Sequence, residues 1–253
     1  MTGDVAPVRR VAGFGFWAFI VLMLVLTVLW IALGIWQMER LQWKDALVAE
    51  VTARLDTAPI DLPPLAQWPT LDPDSWDFRP VKATGILRTD QTVLIFTNLS
   101  DPKGQYSGAG YWVMTPLELT SGGTVFVNRG FVPQDRGPQF ITGAATPETI
   151  SGVALAPEAP GLFTPGSDPA QHIDWVRDPA RLAADARVAG PILGLTIDLP
   201  VGPAGSLPQG GETTIDFPNN HLGYALTWFG LALLTPALLA YWIRRQVQPK
   251  PKA

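Results

Sequence analysis

The chain has few residues able to do chemistry, and they are widely spaced. There are two histidines, His172 and His221, and no cysteine. Without thiols, structural disulfides, thiolate metal centres and cysteine nucleophiles are excluded. Four methionines and two histidines leave few ligands for a transition metal. No G-x-S-x-G, phosphate-binding loop, dinucleotide fingerprint or H-E-x-x-H is present, so no enzymatic turnover is expected. His172, in QHIDW, reads as a surface or packing residue. Asp72, Asp74 and Asp77 have the spacing D-x-D-x-x-D. They read as a solvated turn in a proline-rich loop, since the glycine that a calcium loop needs does not follow.

His221 stands in FPNNHLGYALTW. Pro218 ends the preceding segment, and Asn219 or Asn220 can cap a helix that follows. On that helix His221 shares a face with Tyr224, Ala225, Trp228 and Ala232. The face offers one nitrogen ligand, two aromatics and two small residues. A flat macrocycle can lie against the alanines with the imidazole over its metal. An interfacial histidine that bonds headgroups or backbone has the same surroundings, and these residues alone leave both readings open. Arg79 in FRPV and Arg129 in NRGFVP border apolar strands. Structural ion pairs are the ordinary role for such arginines; anion binding, for example to a propionate, is the functional alternative.

Long apolar elements position His221. From Phe14 to Trp36 the chain runs 23 residues without a charge, and from Leu222 to Ile243 another 22. Each exceeds the length needed to cross a hydrocarbon core of roughly 30 Å, and aromatics sit near both ends of each. The first run is too long for the apolar part of a signal peptide, and no A-x-A site follows it. Pro236 is expected to kink the second. Arg9 and Arg10 precede the first run, and Arg244, Arg245, Lys250 and Lys252 follow the second. The middle holds 12 of the 18 basic residues and 21 of the 22 acids, a net charge of −9. The positive-inside rule then puts both tails (1–13 and 244–253) in the cytoplasm, spans at 14–36 and 222–243, and residues 37–221 outside. No Arg- and Ser-rich segment precedes the first run, which points to a bacterial inner membrane, with the main domain periplasmic. The net charge of −4 and pI near 5.1 argue against a nucleic-acid partner.

Between the spans, Gln37–Leu55 has helical spacing, with Met38, Leu41, Val48 and Val51 on one face. Prolines then mark a loop over 58–77. Short apolar or alternating runs follow at Val81–Leu87, Thr92–Thr97, Tyr111–Leu119, Thr124–Val132, Glu148–Leu155 and Ile192–Leu199, with a hairpin signal at Ser121–Gly123 and a short helix near Pro179–Val188. The expected fold is a membrane protein of α+β class. Two transmembrane helices flank a β-rich extracytoplasmic domain that is antiparallel and barrel- or sandwich-like.

Taken together, FRPV with a following glycine, YWVMTPLEL, VNRGFVP, NNHLGYALTWFGLAL and the run GIWQMERLQWKDAL resemble the Surfeit-locus-one family of cytochrome oxidase assembly factors. The resemblance covers about Gly34 to Leu233, in order and with the same topology, and points to a bacterial member. It implies a factor for maturing haem–copper terminal oxidases, acting where haem a is delivered to the catalytic subunit, with haem a synthesis enzymes as further partners. It also implies that the histidine matching His221 ligates the haem iron. Tyr224, Ala225 and Trp228 would then face the haem, and Arg79 and Arg129 would be available to its propionates. Nothing between Phe140 and Pro191 matches the family's motifs, so His172 inherits no role. A copper carrier for the same oxidases would need thiolates or Met/His clusters and is excluded. A membrane-anchored ligand-binding or scaffold protein without haem is the alternative. A sensor would need a cytoplasmic output domain, and the tails have about ten residues each. An exported hydrolase would have only His172 as a histidine base away from the membrane.

Overall fold

The computed structural model describes residues 13–213 and 219–247. The expectations placed on Arg9, Arg10, Pro218, Lys250 and Lys252 lie outside them. The chain divides into two compact units, one holding residues 1–49 with 216–253, the other residues 50–215.

The first unit is an antiparallel helix pair. Helix α1 (Phe14–Leu55) is one continuous helix of 42 residues, its last residues belonging to the second unit. Helix α3 (His221–Val247) has 27 residues and contains Pro236. Both are long and apolar enough to cross a membrane. On α3, His221, Ala225, Trp228, Ala232, Thr235, Leu239 and Trp242, alternately four and three apart, are each buried or half-buried. Such spacing is that of a two-helix seam. On α1 it meets Trp30, Gly34, Gln37 and their neighbours. Trp30 stacks on Trp228 at 5.3 Å between ring centroids, and Phe16 and Phe19 lie at 5.3 and 4.6 Å from Trp242. Small residues let the backbones approach: a Cβ added at Gly34 would fall 2.6 Å from the Phe229 ring.

The second unit is a mixed sheet of eight strands. In chain order they are β1 (Ile60–Asp61), β2 (Arg79–Arg88), β3 (Val93–Leu99), β4 (Gly108–Leu119), β5 (Thr124–Pro133), β6 (Ala145–Leu155), β7 (Ile173–Asp174) and β8 (Ile192–Asp198). The six expected runs all form strands. The purely antiparallel arrangement expected for them does not hold: β5 pairs with β8 in parallel, as do β1 with β2 and β3 with β7. The physical reason lies in the connection. The long segment between β6 and β8, with helix α2 (Pro179–Ala186) inside it, lets the chain re-enter the sheet in the same direction as β5.

Five strands pair in a closed circuit: β2 with β6, β6 with β8, β8 with β5, β5 with β4, and β4 back with β2. Every buried residue of the largest core cluster comes from these five strands, at alternate positions such as Val81, Ala83 and Leu87, Val125 and Val127, or Leu193, Leu195 and Ile197. Gly85 lies where β2 pairs with β6 and β4 at once, and a Cβ there would meet the Glu118 backbone oxygen at 2.2 Å. On the opposite face, Phe126, Met114, Val93 and Ile95 pack against Leu182, Ala183 and Ala186 of α2. Asp178 caps that helix, its Oδ1 accepting from the Ala180 N–H at 2.9 Å.

Candidate functional site

His221 is the first residue of α3. Its backbone N–H donates to Asn219 Oδ1 at 3.4 Å, and Asn219 Nδ2 donates to Asp45 Oδ1 on α1 at 3.1 Å. Asn219 is therefore the capping residue, tied in turn to the other helix. The imidazole is half-buried, and its Nδ1 lies 2.6 Å from Gln37 Oε1. With that oxygen accepting, Nδ1 carries the proton. Nε2 then holds the lone pair, and it has no hydrogen-bond partner among the described residues. Two helical turns further in, Trp228 stacks on Trp30, and its Nε1–H is buried with no acceptor among the described residues.

The expected face is assembled only in part. Ala225 is 1% exposed and Ala232 is also buried, because α1 covers them. The alanines serve close helix packing, and a macrocycle lying flat against them would require the helices to part. Tyr224 is 57% exposed and lies on the flank of the seam. The ring partner of His221 is Gln37, on the other helix. Gln37 is the residue that motif reasoning missed. Its signal in the sequence is slight: it is the first polar residue after the apolar run, and it lies seven residues after Trp30 and three after Gly34, on their face.

Arg79 and Arg129 belong to the other unit. The Arg79 guanidinium lies over the Trp76 ring at 5.4 Å, a cation–π contact. Arg129, on β5, makes no hydrogen bond or ion pair among the described residues. Burial pulls its pKa below the usual arginine value, with the charge of Glu148 opposing. It is a part-desolvated cation of the kind that anions pair with. Neither arginine forms the structural ion pair that is their ordinary role.

Two further residues of the β unit escaped the motif search. Arg177 donates to Asp198 Oδ1 at 3.3 Å and pairs with Glu158 at 3.1 Å. With Phe78, Thr97, Trp112 and Thr213 these residues line a polar cleft of about 240 Å³. Burial raises the Asp198 carboxyl above the ordinary carboxylate range, while Arg177, Thr213 and Asn128 pull the other way. In the 72–77 cluster, Asp72 Oδ1 accepts from the Asp74 N–H at 3.3 Å, and Asp77 Oδ1 accepts from the distant Ala156 N–H at 2.9 Å. His172 sits in a left-handed turn at φ 57°, and its carbonyl accepts from the Leu94 N–H at 2.8 Å. No group of three or more His, Cys, Asp or Glu side chains able to hold a metal ion is found among the described residues.

Residues 24–233 match the SURF1 family. The chain is 30% identical to a SURF1-like protein of Monosiga brevicollis, over 96% of this chain and 91% of that protein. It is 32% identical to Surfeit locus protein 1 of Xenopus tropicalis, over 90% and 75%, and 29% identical to Surfeit locus protein 1 of Homo sapiens, over 90% and 78%.

Proposed function

Because the chain belongs to the SURF1 family, we propose that it is a membrane-anchored, non-enzymatic assembly factor for a haem–copper terminal oxidase. It holds haem a through His221 before insertion into the catalytic subunit. The observation that carries this reading is a half-buried imidazole whose Nδ1 is engaged at 2.6 Å while Nε2 has no hydrogen-bond partner among the described residues. Such a ring is in the state that a metal requires. Haem a, when bound, would supply an iron for a nitrogen ligand and a long apolar tail for the lipid-facing surface. His221 contributes the nitrogen ligand, and the exposed Tyr224 contributes an aromatic surface beside it. Trp30 and Trp228 stiffen the helix pair two turns away. Arg129 and Arg79 belong to the other unit and are cations of the kind that anions pair with.

Membrane anchoring is supported by how little the helices bury. The most apolar window of α1 is 6% buried and that of α3 17% buried, whereas the core helix of a water-soluble protein would be mostly covered. The charge pattern supports cytoplasmic termini and an exported β unit in an inner membrane.

The test is to express the full chain in cells that make haem a, purify it in detergent and record its visible spectrum. Wild type is expected to carry haem a, and His221→Ala to insert normally but purify with little Soret absorbance. Wild-type haem content in His221→Ala, or none in either protein, overturns the reading in favour of a scaffold without haem.

A further inference from the structure

Gln37 is only 7% exposed, at the point where the apolar run of α1 ends. A carboxamide held in a helix seam whose neighbours are Trp30, Gly34 and Trp228 is costly unless it is paired. Its partner is the ring of His221, with Oε1 2.6 Å from Nδ1. An imidazole facing a carbonyl oxygen must put its proton on the facing nitrogen, which leaves the lone pair on the other. We infer that Gln37 is a positioning residue: it fixes His221 as the Nδ1–H tautomer and turns Nε2 outward as the metal ligand. This rests on the haem reading given above. A second tie, from Asp45 through Asn219 to the backbone N–H of His221, anchors the same residue to α1. Ring and backbone are therefore both held by the first helix. Metal-bound imidazoles are commonly oriented by such a partner, and its loss typically lowers metal affinity roughly 10–100-fold.

The role separates from simple helix pinning because a tautomer can be measured without any haem. In the full chain labelled with ¹⁵N-histidine, in detergent and at alkaline pH, two imidazoles contribute signals, and the His221→Ala spectrum assigns them. His221 is expected to show a protonated Nδ1 and an unprotonated Nε2. Gln37→Leu is expected to move the proton toward Nε2 and to lower haem a affinity roughly 10–100-fold. Gln37→Glu keeps an acceptor in place. It should retain the tautomer and the haem, with a lower reduction potential, because a carboxylate makes the ligating nitrogen more basic. A wild-type ring protonated on Nε2, an unchanged tautomer in Gln37→Leu, or a Gln37→Glu protein that behaves like Gln37→Leu overturns the inference while leaving His221 as ligand. Full haem content in His221→Ala overturns the haem reading, and the positioning role of Gln37 falls with it.

Discussion

Two buried carboxylates of the β unit differ in what dominates them, the partner for Asp174 and burial for Asp198. Asp174 is fully buried and receives a two-pronged bond from Arg181, at 2.6 and 3.0 Å, besides the Trp175 N–H at 2.7 Å. Arg181→Leu leaves that carboxylate with one backbone donor, and a cost of about 2–3 kcal/mol is expected, less than for a wholly buried pair because Arg181 is part-exposed. The melting temperature of the full chain in detergent should fall accordingly. Asp198 makes a pH prediction. A carboxyl whose folded pKa is raised by burial stabilises the fold fully below its unfolded value of about 3.9, and loses that contribution as pH rises through the folded value. Asp198→Asn does not titrate. The melting temperature of wild type relative to Asp198→Asn should therefore decline as pH rises through the acidic range above 4. A difference that is flat or rises would mean that Arg177 outweighs burial.

At the scale of elements, two glycines carry the packing. Gly85 sits in β2 between two partner strands, and its missing Cβ is what admits the Glu118 carbonyl. The atom in the way is backbone, so no rotamer can relieve it. Gly85→Ala should cost about 2 kcal/mol or more, with loss of the β4 pairing that completes the circuit. Gly34 presses on a side chain instead, the Phe229 ring. Gly34→Ala should destabilise the helix pair by about 1–2 kcal/mol, and Phe229→Leu should rescue part of that loss, since the two residues share one space. Additive melting shifts in the double variant would show that the two residues do not meet. The strand positions and α2 were legible from alternation, capping and turn residues, because those signals are local. The parallel entry of β8 was not, because strand direction depends on where a long connection returns the chain.

For the whole molecule, the division into a helical unit and a β unit follows the hydropathy of the chain. The acidic middle and the basic tails predict one orientation. A reporter active only outside the cytoplasm should work when fused at Gly152 and fail at Ala253. Activity at Ala253 would reverse the topology. The family match extends over residues 24–233 and so takes in most of α1, the first part of α3 and the whole sheet that lies between them in the sequence.

The sequence by itself determined the two apolar helices, the six main strands, the family and the candidate role of His221. Each of these is written in a period, a local turn or an ordered set of motifs. The tertiary structure decided which atoms face His221. Gln37 and His221 are separated by 184 positions in the chain, and only the packing of α1 on α3 puts Oε1 beside Nδ1. The same packing buried Ala225 and left Tyr224 in the open, although both fell on the expected face, because an apolar stripe does not state what will cover it. In the β unit, the segment leading into α2 carries Arg177 to Asp198, while Arg129 has no ion pair among the described residues. Those outcomes rest on long-range register and on competition for partners, and neither is encoded at any one position.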